Sequence, residues 1–401
     1  MLPLYEYQRK SVAKLLSGRH IIYATMGAGK TAITLKWAEQ EMARAHKHKL
    51  LVITTASKSK THDWQDEAKL FTNMHPSEFD VVSWHMARKW THSKTYEEMG
   101  EYVVIFDELQ RAKQGVSSLM GQAFLLITRE TDTWVGATGT PGDAWIDFYP
   151  YFTATGKVKN KTDFKRKFCI EQHYPFPRIL SYMHQETLKE WWKDISYTPD
   201  TSEVMAQLPK ETHKVMSFPA PKGYKKVLKT STTLDGEFLD SNMALLHYLR
   251  QMCATPDKLS ALSDILQSLS SPLVIFYNYT CEREQILELA EKLKRRVWRI
   301  DGQVHDIPTA ETIGENDVVL CHYLSGSEAL NLQFCNYWLS YSYNYSYSTS
   351  LQARGRIKRI GQARPMFFYY FETEHTVEQE VKRALQNKTE FAEDTWQPKE
   401  V

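Results

Sequence analysis

Short apolar runs punctuate the N-terminal part of the chain: HIIYA at 20–24, LLVITT at 50–55, FDVVSW at 79–84, YVVIF at 102–106 and TWVGATGTPGD at 133–143. These runs are rich in branched and aromatic residues and bounded by polar residues or glycine, so each predicts a buried strand. Helical spacing fills the gaps between them. In KTAITLKWAEQEMARA (30–45), Ile33, Trp37 and Ala38, then Glu41, Met42 and Ala45, recur at that spacing. Alternating strand and helix predicts a parallel sheet covered on both faces. Loops at the C-terminal ends of its strands then gather reactive groups along one edge. From Leu273 onward the alternation starts again.

With 401 residues the chain has room for two or three domains, and its 42% hydrophobic and 12% aromatic content suits sizeable cores. No apolar run reaches the roughly 18 residues of a membrane span. The opening MLPLYEYQRK lacks the apolar core of a signal peptide. Five cysteines are scattered without a C-x-x-C pair, which argues for reduced thiols in a cytoplasmic protein and against a disulfide framework or zinc site. A net charge of +2 leaves the partner open, but basic residues cluster in KVKNKTDFKRKF (157–168) and QARGRIKRIGQAR (352–364).

The candidate chemistry begins at YATMGAGKT (23–31), between the first strand and the first long helix. Gly27 and Gly29 can take positive φ, so that backbone N–H groups of Met26, Gly27, Ala28 and Gly29 turn toward a phosphate. Lys30 would reach the β- and γ-phosphates, and the Thr31 hydroxyl would ligate Mg²⁺. Ala24, where a glycine is usual, ends the strand, and a small residue suffices there. The fourth strand runs directly into Asp107 and Glu108. Two carboxylates after a hydrophobic strand are costly without a partner. Asp107 is expected to hold Mg²⁺, and Glu108 to orient and deprotonate the attacking water. Alone, each feature also fits an incidental turn. Together they point to ATP hydrolysis.

Several strings then match one pattern in order. The chain resembles helicase superfamily two, and within it the Swi–Snf-type ATPases with their small bacterial and phage relatives. DELQRAKQ (107–114) resembles that group's DEAH-R-x-K segment, with Gln110 for the usual histidine, and ATGTP (137–141) resembles its third motif. YEYQRKSV (5–12) is similar to the N-terminal segment whose glutamine, here Gln8, reads adenine. VITTASKSKTHDWQDE (52–67) and VVSWHM (81–86) are similar to segments on the nucleic-acid side. In the second half, SPLVIFYNYTCEREQILELA (271–290), DVVLCHYLSGSEALNLQFCNYWL (317–339) and LQARGRIKRIGQ (351–362) resemble the fourth, fifth and sixth motifs.

The resemblance implies an α/β protein of two RecA-like domains, each a mostly parallel sheet flanked by helices, with the ATP site in the cleft between them. Residues 1–215 would form the first domain, with a helical insertion after the third motif, and 216–401 the second. The proline- and lysine-rich stretch 208–226 is the expected hinge. Lys30, Asp107, Glu108, Arg356 and Arg359 would be catalytic, with Arg359 as arginine finger and Arg356, three residues away on one helical face, as its companion. Gln110, Gly326 and Glu328 would join the nucleotide-binding set. Thr55, Ser57, Lys58, Trp84, Thr138 and Gly139 in the first half, and Asn278, Ser325, Asn331 in the second, would hold nucleic acid without reading its sequence. SYSYNYSYSTS (340–350) reads as a loop packed between strand and helix, with base stacking by its tyrosines as the alternative.

The implied function is an ATP-dependent helicase or translocase acting on single-stranded or duplex DNA rather than RNA. It would be monomeric and off the membrane, with replication or recombination proteins as partner classes, and in the host cytoplasm if phage-encoded. Two other readings stay open: a duplex translocase that strips or remodels protein–DNA complexes without separating strands, and a nucleotide-gated loading protein with little turnover.

Overall fold

The computed structural model describes the chain except for residues 26, 57, 61, 95, 173, 175–177, 203–207, 327–329 and 388–401. It divides into two compact units, Met1–Glu203 and Val204–Val401.

The first unit is built on strands β1 (Ile21–Tyr23), β2 (Lys49–Thr54), β3 (Phe79–Ser83), β4 (Tyr102–Asp107) and β5 (Trp134–Thr138). All five lie within the apolar runs of the sequence or overlap them by all but a residue. Strands β6 (Cys169–Gln172) and β7 (Arg178–Tyr182) form a separate antiparallel ribbon, and β8 (Ser196–Tyr197) returns to the main sheet. That sheet is parallel, in the order β3-β2-β4-β5-β1-β8. Its central strands are buried on both faces, and this is why they read as continuous apolar runs rather than alternating ones. On one face Trp84, Phe106, Phe124, Trp134 and Tyr151 form an aromatic core. Helices α1 (Glu6–Leu16) and α2 (Lys30–Ala45) frame the first strand, and α2 has the bounds its periodicity predicts.

The second unit repeats the plan with β9 (Glu211–Phe218), β10 (Leu273–Tyr277), β11 (Val297–Ile300), β12 (Val318–His322), β13 (Tyr337–Ser340) and β14 (Met366–Thr373). Its sheet is again parallel, ordered β11-β12-β10-β13-β14-β9. Each unit is thus a RecA-like α/β layer structure. Strand β9 corrects two expectations. A boundary at 215/216 would cut through it, and eight residues of the expected hinge form this strand, paired along its full length with β14. The prolines that suggested a linker, Pro209 and Pro219, flank the strand, where a missing N–H costs no ladder bond.

The tyrosine-rich segment is packed, as its more modest reading has it. Tyr341, Ser342 and Tyr343 are buried, and Ser346 caps the helix Tyr347–Arg354 by accepting from Thr349 N. Base stacking by Tyr341 or Tyr343 is excluded by that burial.

Candidate active site

The strand order decides what can meet. Strands β2, β4, β5 and β1 are consecutive neighbours, so their C-terminal ends stand in a row about 5 Å apart. Those ends carry Thr54–Thr55, Asp107–Glu108, Thr138–Gly139 and the 24–29 loop.

The loop has the backbone its sequence predicts. Gly27 (φ +79°) and Gly29 (φ +68°) are left-handed, and Gly29 caps α2. Ala24 is buried and continues the ladder by donating its N–H to Thr138 O at 3.1 Å, so it acts as the end of the strand. Lys30 Nζ folds over the loop and donates to the carbonyls of Ala24 (2.9 Å) and Thr25 (3.1 Å). From α1, Tyr7 OH donates to Ala28 O at 2.9 Å. Gln8 is buried, and its amide lies so close that a Cβ built on Gly29 would come within 2.4 Å of Nε2. Glycine at 29 is therefore required twice, by its φ and by Gln8. Thr31 is partly exposed at the start of α2. Met26 lies outside the described residues.

Asp107 ends β4 and is buried. Its Oδ2 accepts from Thr54 Oγ1 (2.8 Å) and from Lys58 Nζ (3.1 Å). Burial alone would raise this carboxyl's pKa; the Lys58 ammonium, the Thr54 hydroxyl and the nearby Lys30 outweigh it and hold it below the usual carboxylate range. Burial likewise disfavours the Lys58 cation, but Asp107 and Glu108 more than compensate and its pKa is raised.

Glu108 takes a left-handed backbone (φ +52°), uncommon for a non-glycine residue and of the kind that concentrates at functional sites. The turn aims its carboxylate along the row of strand ends. Gln110 Nε2 donates to Glu108 Oε2 at 2.6 Å, while Gln110 Oε1 accepts from Thr138 Oγ1 at 2.7 Å. Thr138 Oγ1 also accepts from Thr140 N at 3.1 Å. An amide carries donor and acceptor on one rigid plane, so Gln110 ties the second carboxylate directly to the ATGTP loop. We expect Gln110→Ala to slow turnover by about 10- to 100-fold, as loss of a positioning contact does, while nucleotide affinity changes little. Steady-state hydrolysis set against equilibrium nucleotide binding checks this, and Gln110→Glu, which cannot donate to Glu108, should fail similarly.

Several residues expected on the nucleic-acid side lie elsewhere. Trp84 is buried, and its indole N–H donates to Asp107 O at 2.7 Å; it is a post beneath the carboxylate, with no face for a polymer. Thr138 is buried and committed to Gln110. Lys58 faces Asp107, and Thr55 is buried, with its Oγ1 3.5 Å from Lys58 N. Gly139 is partly exposed beside them, and Ser57 lies outside the described residues.

In the second unit Asn278 is also used internally. Its Nδ2 donates to Ser342 Oγ (2.8 Å) and Tyr343 O (3.1 Å), and its Oδ1 accepts from Asn344 Nδ2 (2.9 Å), tying the end of β10 to the segment after β13. Asn331 is exposed and Ser325 partly so, while Gly326 closes the short helix Tyr323–Gly326 and Glu328 lies outside the described residues.

The two arginines do not share a helical face. Their helix ends at Arg354 and residues 355–360 form turns. Arg356 is buried and donates from Nη1 to Leu330 O at 3.1 Å, while its backbone carbonyl accepts from Leu332 N. It braces the 330–332 segment from within the second unit. Arg359 is partly exposed, with Nε bonded to Gly355 O at 3.1 Å. The motif resemblance and a three-residue spacing suggested one face; the early end of the helix separates the two.

A loop with two left-handed glycines and its lysine, a hydroxyl after it and a buried carboxylate on the same sheet are the kinds of donor that a magnesium–nucleotide complex requires. The residues fit that group: the Thr31 hydroxyl and the buried Asp107 carboxylate are hard oxygen donors, and the left-handed Gly27 and Gly29 allow backbone N–H groups to turn toward an anion.

No family model matches the chain. Over 69 residues it is 38% identical to an uncharacterized ATP-dependent helicase, YqhH, of Bacillus subtilis (strain 168), a stretch that spans 17% of this chain and 12% of that protein. Among solved structures, the Sulfolobus solfataricus SWI2/SNF2 ATPase core in complex with dsDNA aligns over 96% of this chain and 91% of its own, with 16% identity and a TM-score of 0.43.

Proposed function

We propose that the chain is an ATP-dependent helicase or translocase that moves on DNA. One observation carries the reading: on adjoining strand ends of one parallel sheet, the Lys30 loop, Asp107, Glu108 and the Gln110–Thr138 bridge form a single connected site. The relative's description as an ATP-dependent helicase agrees with it for the stretch the two share.

Each residue has a task under this reading. The backbone of 26–29 and Lys30 bind and neutralise phosphate, and Gln8 reads the base. Thr31 and Asp107 would hold Mg²⁺, which when bound would supply positive charge against the phosphates. Glu108 accepts the proton of the attacking water and is oriented by Gln110. Arg359 supplies positive charge from the second unit. Opening and closing of the two units in step with ATP then gives movement, by no more than the nucleotide's differential affinity for the two states. Asn331, Ser325 and Gly139 are the remaining candidates for contacts to nucleic-acid phosphates.

The most informative experiment compares ATP hydrolysis with single-stranded DNA, duplex DNA and RNA. We expect DNA to raise the rate at least about tenfold over RNA, and the effect to fade with salt as counter-ion release requires. A rate indifferent to all three polymers would remove the motor. Strand displacement set beside triplex displacement then tells a helicase from a duplex translocase.

A further inference from the structure

Under the function proposed above, Asp107 is the carboxylate that takes the metal. Its Oδ2 already holds two donors, the Thr54 hydroxyl at 2.8 Å and the Lys58 ammonium at 3.1 Å. A carboxylate oxygen has two in-plane lone pairs. A cation that binds through Oδ2, alone or together with Oδ1, therefore competes with these donors. Thr54 is the last residue of β2, wholly buried and fixed by the sheet. Lys58 is different. It stands in the connection between β2 and the helix Asp63–Phe71, on a flexible four-carbon stem, with its side chain 23% exposed. Its ammonium also lies 5.8 Å from the ring centre of the buried Trp64, within cation–π range, a contact that can persist when the carboxylate is given up. A divalent ion and an ammonium sharing one poorly hydrated oxygen repel strongly.

We propose that Lys58 is an exchangeable counter-ion for Asp107: it neutralises the carboxylate in the metal-free chain and swings away when Mg²⁺ enters. The inference rests on the reading of Asp107 as the metal carboxylate. It gives Lys58 a second task. Once displaced, the ammonium needs another anion, and under the function proposed above a backbone phosphate suits it, which returns Lys58 to the nucleic-acid contacts only in the metal-bound chain. Metal and phosphate then help each other. Because linkage is reciprocal, whatever factor the phosphate adds to metal affinity, the metal adds to phosphate affinity. The exchange is thus a route by which DNA turns on hydrolysis without touching the nucleotide.

The test uses the full chain with Mn²⁺ as probe and a non-hydrolysable ATP analogue, and reads bound Mn²⁺ by electron paramagnetic resonance. Lys58→Met is expected to bind Mn²⁺ about tenfold more tightly than the wild type, within the ordinary range of site–site coupling. Lys58→Arg, which keeps the charge, should not. Duplex DNA should tighten Mn²⁺ binding to the wild type and leave Lys58→Met unchanged. Removing the lysine leaves Asp107 buried without its cation, so melting temperature is measured with and without Mg²⁺, and Mg²⁺ should raise it more for Lys58→Met than for the wild type. Mn²⁺ affinity that is unchanged or weaker in Lys58→Met overturns the counter-ion. Mn²⁺ affinity that survives Asp107→Asn in full places the metal elsewhere and overturns the underlying site instead.

Discussion

Replacing Glu108 by glutamine is expected to lower ATP hydrolysis by about 10³-fold, within the range a general base contributes, while ATP stays bound. Two features make the change clean. The glutamine is nearly isosteric, and its side-chain oxygen can still accept the bond that Gln110 Nε2 donates at 2.6 Å. Shape and anchorage are kept, and the proton acceptor is lost. The left-handed backbone at Glu108 is set by the strand–turn junction and not by the carboxylate, so the loop should keep its form. Lys30→Ala should behave differently, losing affinity along with rate, because Lys30 meets the phosphates in the ground state as well. Single-turnover hydrolysis and equilibrium binding of a fluorescent nucleotide separate the two patterns. Undiminished single-turnover hydrolysis in Glu108→Gln would hand the role of base to another residue.

The second large effect concerns stability. Lys258 and Glu378 are both wholly buried and pair at 2.8 Å, and Glu378 Oε2 also accepts from Thr373 N at 2.8 Å. The pair joins the helix Pro256–Ser268 to the helix Val377–Gln386, which follows β14. Glu378→Ala leaves the Lys258 ammonium in the interior without its paired carboxylate, and such losses cost about 3–5 kcal/mol. We expect that much from the denaturant-induced unfolding transition of the second unit, with the transition of the first unit little changed. The double change Lys258→Met with Glu378→Leu removes both charges and keeps volume, so it should recover most of the loss. A single-variant cost below about 1 kcal/mol, the size of an exposed pair, would show that water reaches the pair.

The parts of the fold and site legible in the sequence are those specified locally. The strands of the first sheet announce themselves because burial on both faces demands continuous apolar runs, and the 23–31 loop because its chemistry occupies consecutive residues. What was not legible depends on partners far along the chain. Trp84 looks like an exposed aromatic until Asp107 O is found 2.7 Å from its indole nitrogen. Lys58 looks like a phosphate contact until the row of strand ends places it on a carboxylate 49 residues away. Gln110 reads as a departure from a familiar motif, and its use appears only once Thr138 closes the bridge. Arg356 and Arg359 do not share a helical face for a local reason, since the helix that would align them stops at Arg354. Strand β9 was missed because edge strands are half exposed: its alternation is weak, and lysine, histidine and glutamate along it look like a linker.

That edge strand matters for anyone isolating the C-terminal half. A fragment begun at residue 216 would lose five of the eight residues that shield the flank of MFFYYFET, from Glu211 through Val215. Unshielded N–H and C=O groups on so aromatic a segment invite pairing between molecules, so such a fragment should precipitate. One begun at Val204, before β9, should remain dispersed, and a simple comparison of soluble yields would show the difference.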